Sequence, residues 1–196
     1  MLAWISENYI EVLGVLFSFA YLWFSIRQKI LLWPMGIISA VIYVWVFFHA
    51  KFYADMGLNV YYFFISIYGW IIWKKGGTSS GNKMPIKRVD LRMGLLLAGI
   101  TLLLFVVIGI ILNRYTDSPL PFGDALTTAG SITATWMLAR KYLAHWIIWI
   151  AVDALSIGLY IYRGLYPTVI LFVVYTAMAV IGYIEWKKEA PGSVKA

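Results

Sequence analysis

The chain has 196 residues and no cysteine. That excludes a disulfide framework, a thiolate metal site and a cysteine nucleophile. Charge is scarce too. Asp, Glu, Lys and Arg make up 13% of the residues, where an average globular domain has roughly 25%. There is no P-loop, HExxH, GxSxG or GxGxxG motif, which argues against an ATP-driven pump, a zinc hydrolase, a serine hydrolase or a dinucleotide enzyme. Residues 1–8 carry no basic n-region, and no A-x-A-like site follows the first apolar run. That run is therefore expected to stay in the mature protein. What the chain does have is apolar surface: 62% hydrophobic residues, 18% aromatic residues and a mean hydropathy of +0.81. A soluble fold of this size leaves roughly 30% of its surface in water, so lipid must be the solvent for much of this chain.

Seven runs approach the ~20 residues that a spanning helix needs: about 7–27, 31–49, 53–74, 90–112, 120–140, 142–162 and 165–187. The breaks between them are short and polar, except for 74–89, a Gly-, Ser- and Lys-rich stretch read as a flexible loop. Trp4, Trp33, Tyr53, Trp73, Tyr115, Tyr142, Tyr166 and Trp186 fall at run ends, as an interfacial aromatic belt would. The continuous runs exclude the alternation of a β-barrel. With the C-terminus inside, three of the 16 basic residues, Lys51, Arg114 and Arg163, lie outside and the other 13 lie inside. The positive-inside rule thus predicts an outer N-terminus and a cytoplasmic C-terminus. It also accounts for the net charge of +7 without a nucleic-acid partner.

The sequence repeats itself under a shift of 113 residues. Ser18 falls on Ser131, Trp23 on Trp136, Arg27 on Arg140, Trp33 on Trp146, Tyr62 on Tyr175 and Gly69 on Gly182. Trp73-Lys74-Lys75 falls on Trp186-Lys187-Lys188. Shared hydrophobicity does not align Trp, Arg and a Lys pair. The expected organisation is a first three-helix repeat over 1–75, a cytoplasmic loop and linker helix over 76–112, a second three-helix repeat over 113–188 and a tail over 189–196. A unit with an odd number of crossings needs one more crossing before its copy can start on the same side, and the fourth helix supplies it. This predicts parallel repeats in a 3+1+3 order, an architecture used by carriers whose substrate sites lie near mid-membrane. A duplication with a scaffolding role is the alternative.

Of nine acidic residues, only Asp153 falls at the centre of a span. A carboxylate there costs ~2.5–3.5 kcal/mol on insertion scales and must face a cavity or a partner. It fits a contact to a polar or cationic substrate, or an interhelical hydrogen bond. Trp146 and Trp149 precede it at i, i+3, i+7 spacing and share its face. Two indoles beside a carboxylate suit a flat, cationic heteroaromatic ring, although Trp146 alone equally suits an interfacial anchor. Asp55, Asn59, Tyr62 and Ser66 form a polar stripe on the third helix, and Asp124, Thr128, Ser131 and Thr135 form one on the fifth. Such stripes line a path or join helices. Tyr62 and Tyr175, as repeat equivalents, are expected to face each other across the pseudo-axis. Trp33-Pro34-Met35-Gly36 reads as a helix start or a hinge. His49 and His145 fall near opposite membrane faces and make no joint metal site. An intramembrane enzyme using Asp153 lacks a His companion at its depth.

Several motifs together resemble the PnuC family. They are Asn8-Tyr9-Ile10-Glu11-Val12-Leu13-Gly14, Trp33-Pro34-x-Gly36, Phe52-Tyr53-Ala54-Asp55-x-x-Leu58-Asn59, Tyr68-Gly69-Trp70-x-x-Trp73, Ala139-Arg140-Lys141, Trp146-x-x-Trp149-x-x-x-Asp153 and Gly182-Tyr183-x-x-Trp186. The resemblance covers nearly all of 5–188. It implies a SWEET-like fold in the bacterial inner membrane, a trimeric assembly, and import of nicotinamide riboside by facilitated diffusion. A separate cytoplasmic kinase would then trap the riboside, so no cofactor is implied here. Relatives that carry thiamin or riboflavin share much of the pattern. On this resemblance Trp146 and Trp149 are expected to stack on the ring. Asp153, Asn59, Tyr62 and Tyr175 are expected to meet the hydroxyls or amide, with Thr135 as a further lining residue. No catalytic or metal-binding residue is expected.

Overall fold

The computed structural model describes residues 9–49, 53–76 and 84–191. The expectations for Trp4, Lys51, Phe52, Gly77, Gly81, Lys83 and Lys195 lie outside the described residues. Seven α-helices are present: α1 (Tyr9–Ile26), α2 (Leu32–His49), α3 (Tyr53–Gly76), α4 (Leu91–Tyr115), α5 (Pro121–Ala139), α6 (His145–Tyr162) and α7 (Tyr166–Glu189). Among the described residues the only β pairing is an isolated bridge, Lys87 to Tyr142. The protein is therefore an all-α integral membrane protein. Helices α2, α3, α4, α6 and α7 are each long and apolar enough to cross a bilayer. Helix α5 is not, because it carries Asp124, four Thr and Ser131. Ten of its 19 residues are buried, and its flanks are covered by α4 and α6. A helix sheltered by protein does not need an unbroken apolar run. The apolar part of α1 is confined to Leu13–Ile26.

The chain divides into two compact units, one ending at Met84 and the other starting at Pro85. In the first, α2 packs on both α1 and α3. In the second, α4 packs on α5, α5 on α6 and α6 on α7. The 113-residue shift carries the bounds of α2 onto those of α6, the bounds of α3 onto those of α7, and the end of α1 onto the end of α5.

The turn between α1 and α2 in the first unit and the turn between α5 and α6 in the second match bond for bond. In the first unit the Gln28 N–H donates to the Ser25 carbonyl and the Lys29 N–H to Phe24. In the second the Lys141 N–H donates to Leu138 and the Tyr142 N–H to Met137. Gln28 (φ 52°) and Lys141 (φ 58°) both occupy the left-handed region. This is the crossed bonding that closes a helix C-terminus with one left-handed residue. The guanidiniums preceding them stack on the same turn, Arg27 5.1 Å from the Trp23 ring centre and Arg140 5.7 Å from that of Trp136.

A Trp–Gly–Trp cluster locks α2 to α3 in the first unit and α6 to α7 in the second. Trp33 is fully buried against Gly69 and meets Trp73 edge-on, with centroids 5.4 Å apart at 90°. Trp146 is buried against Gly182 and meets Trp186 at 5.9 Å and 84°. A methyl at either glycine would fall inside the facing indole. That close approach is why glycine stands at both positions.

Candidate functional site

Helix α6 presents Trp146, Trp149, Asp153 and Ser156 along one face, and three of the four are buried. Trp146 is 1% exposed and Asp153 4% exposed, while Trp149 is half-buried. Ser156 returns its hydroxyl to the Val152 carbonyl at 2.8 Å. Asp153 differs from it: among the described residues its carboxylate has no hydrogen-bond or ion-pair partner. A buried carboxylate without a partner opposes stability, and in a membrane-spanning helix such a group is a candidate for function. No Lys or Arg stands anywhere on α6.

Trp146 and Trp149 do different things. The Trp146 indole is enclosed by His145, Gly182 and Trp186, so both of its faces are given to packing. Trp149 makes no such contact and stands one turn closer to Asp153. The repeat sharpens the contrast. Trp149 corresponds to Gly36 and Asp153 to Ala40. In the first unit a methyl on Gly36 would come within 2.9 Å of the Tyr21 ring and 3.0 Å of the Ser66 hydroxyl. The shift places Ala134 and Ala179 at the positions of Tyr21 and Ser66. A small residue between two larger ones has become a large residue among small ones.

The remaining candidates lie on other helices. Asn59 on α3 is half-buried and donates its amide to the Asp55 carbonyl at 2.9 Å. Tyr62, one turn on, is half-buried beside Tyr61, their rings 5.9 Å apart. Ser66 completes the stripe and is buried. On α7, Tyr175 meets Phe172 edge-on at 5.8 Å. Thr135 is buried on α5, with its hydroxyl bonded to the Ser131 carbonyl at 2.8 Å. Asp124 is engaged elsewhere. It takes a 2.6 Å ion pair from Arg163 and a 2.6 Å hydrogen bond from Ser118, tying the start of α5 to the turn after α6.

Two features of the second unit were not legible from motifs. Lys141, part of the Ala139-Arg140-Lys141 motif, is 1% exposed, with its ammonium 5.8 Å from the Trp186 ring centre. The described end of the loop before α4 is docked: the Lys87 N–H donates to the Lys141 carbonyl at 2.8 Å, and the Leu143 N–H donates to the Lys87 carbonyl at 2.9 Å.

A helical, multi-pass fold with a buried carboxylate in a membrane-spanning helix suits a membrane transporter. The comparisons specify it further. Residues 8–188 match the model of the nicotinamide mononucleotide transporter family. A nicotinamide riboside transporter PnuC of Escherichia coli is 21% identical over 93% of this chain and 87% of its own. One from Neisseria mucosa is 29% identical over 83% of this chain and 65% of its own. The riboflavin/roseoflavin transporter RibM of Streptomyces davaonensis is 21% identical over 90% of this chain and 83% of its own. A crystal structure of the vitamin B3 transporter PnuC matches with a TM-score of 0.76 at 25% identity, covering 95% of this chain and 83% of that one. The chain belongs to the nicotinamide mononucleotide transporter family.

Proposed function

We propose that the protein imports nicotinamide riboside by uniport across the bacterial inner membrane, with its N-terminus outside and its C-terminus in the cytoplasm. The observation that carries this reading is the Asp153 carboxylate, buried without a partner among the described residues, one turn from Trp149. Trp149 stacks on the flat cationic ring, and Asp153 accepts from the ribose hydroxyls. Trp146 holds α6 in register for both. Asn59 and Tyr62 line the path in the first three-helix repeat, and Tyr175 and Thr135 line it in the second. An unpaired carboxylate repels a phosphate group, so the site suits the riboside better than its mononucleotide. Riboflavin is the second reading, favoured by the likeness to RibM. The assembly is a homotrimer.

Calorimetric titration of the purified protein with nicotinamide riboside, riboflavin and thiamin tests the substrate. Saturable binding of the riboside alone is expected, whereas riboflavin binding alone would transfer the assignment. Uptake into proteoliposomes tests the energetics. Equilibration without any gradient is expected. Uphill accumulation under an imposed pH or sodium gradient would overturn uniport.

A further inference from the structure

A cavity sits at the other end of the second unit from the Asp124–Arg163 pair. It has a volume of about 240 Å³ and is lined by Arg88, Val89, Leu143, Ala144, Ile147, Tyr183 and Lys187. We infer that this cavity binds the phosphate headgroup of an anionic lipid of the inner leaflet. Three observations carry it. The lining has two cations and no carboxylate, and Arg88 has no ion-pair partner among the described residues. The cavity is built rather than incidental, because the docking of Lys87 onto the α5–α6 turn holds the neighbouring Arg88 beside Leu143 and Ala144. The chemistry of the wall is also graded. Lys187 lies 5.8 Å from the centre of the half-buried Tyr183 ring, while the wall runs from buried Leu143 in the turn before α6 to Ile147 in the first turn of this spanning helix, Ile147 being 54% exposed. A phosphate diester needs cations, whereas its acyl chains need an apolar wall leading away from them. A free phosphate would have no use for the second. Basic pockets between helices at the cytoplasmic side suit such headgroups.

Native mass spectrometry of the purified full-length chain, titrated with phosphatidylglycerol and with phosphatidylcholine, tests this. Phosphatidylglycerol should be retained and phosphatidylcholine should not. Arg88→Gln and Lys187→Gln should each weaken phosphatidylglycerol retention by about five-fold, the weight of one basic residue at an anionic surface. Lys74→Gln, the repeat equivalent of Lys187, should leave it unchanged. Equal retention of both lipids, or wild-type retention in both variants, would overturn the proposal. So would competition by inorganic phosphate at the same concentration as the lipid, which would make the cavity an ion site. Riboside binding is measured in parallel, and its loss or persistence bears on the transport reading alone.

Discussion

The three helices of the first unit and the last three of the second share a scaffold and differ in what they place on it. Helix bounds, the left-handed residue at the first turn, the Arg-on-Trp contact and the Trp–Gly–Trp lock all recur under one shift. Among the positions that do not recur are two on one face of the middle helix. Helix α2 has Gly36 and Ala40 where α6 has Trp149 and Asp153. The shared positions are those where geometry leaves little choice: a methyl at Gly69 or Gly182 meets an indole. The divergent positions, Trp149 and Asp153, are the ones proposed above to meet substrate.

This contrast predicts its largest effects in the shared part. Trp33→Ala and Trp146→Ala each remove a buried indole and should destabilise the protein by roughly 3–5 kcal/mol. Thermal melting in detergent should report similar losses for both. A Trp146→Ala variant that melts normally and fails only in binding would move Trp146 from packing to the site. The next effect comes from forcing the halves to be alike. Gly36→Trp drives an indole against Tyr21 and Ser66, and overpacking of this kind costs roughly 1–3 kcal/mol. The variant should melt lower and gain no affinity for riboside. Tighter binding would show that the first unit is a latent second site. The smallest effect lies at the edge of the second unit. Arg163→Gln breaks the Asp124 ion pair, whose side chains are 21% and 27% exposed. Pairs this accessible to solvent are worth up to about 1 kcal/mol. The melting point should fall slightly, and less in high salt.

Much of this was legible in the sequence, for identifiable reasons. Aromatic and basic residues at run ends placed the helices to within a few residues. The alignment of Trp33, Gly69 and Trp73 with Trp146, Gly182 and Trp186 exposed the repeat, because tryptophan and glycine at fixed spacing are rarely coincidental. The i, i+3, i+7 spacing put Trp146, Trp149 and Asp153 on one face, as observed. Spacing could not tell which indole packs and which stays available, because that depends on the facing helix. The glycine opposite Trp146 was visible as a repeat match, yet its meaning as a socket was not. The burial of Lys141 and the docking of Lys87 escaped for the same reason. Both arise when a loop meets a turn more than 50 residues away in sequence, and neither leaves a periodic trace. Helix α5 was long enough to be read as a span, but its polar residues fit a helix enclosed by neighbours better than one facing lipid.

The central claim is that the divergent face of α6 recognises the substrate. Its most direct test is calorimetric titration of nicotinamide riboside into Trp149→Ala and Asp153→Asn, each confirmed as folded by its melting point. Loss of the stacking indole should weaken binding by roughly 1–3 kcal/mol, and loss of the carboxylate charge by about 1.5–3 kcal/mol. If Asp153 serves the ribose hydroxyls, the Asn variant should weaken the cationic riboside and its neutral, reduced analogue alike. Wild-type affinity in both variants would contradict the account and leave α6 as packing, with the substrate bound elsewhere.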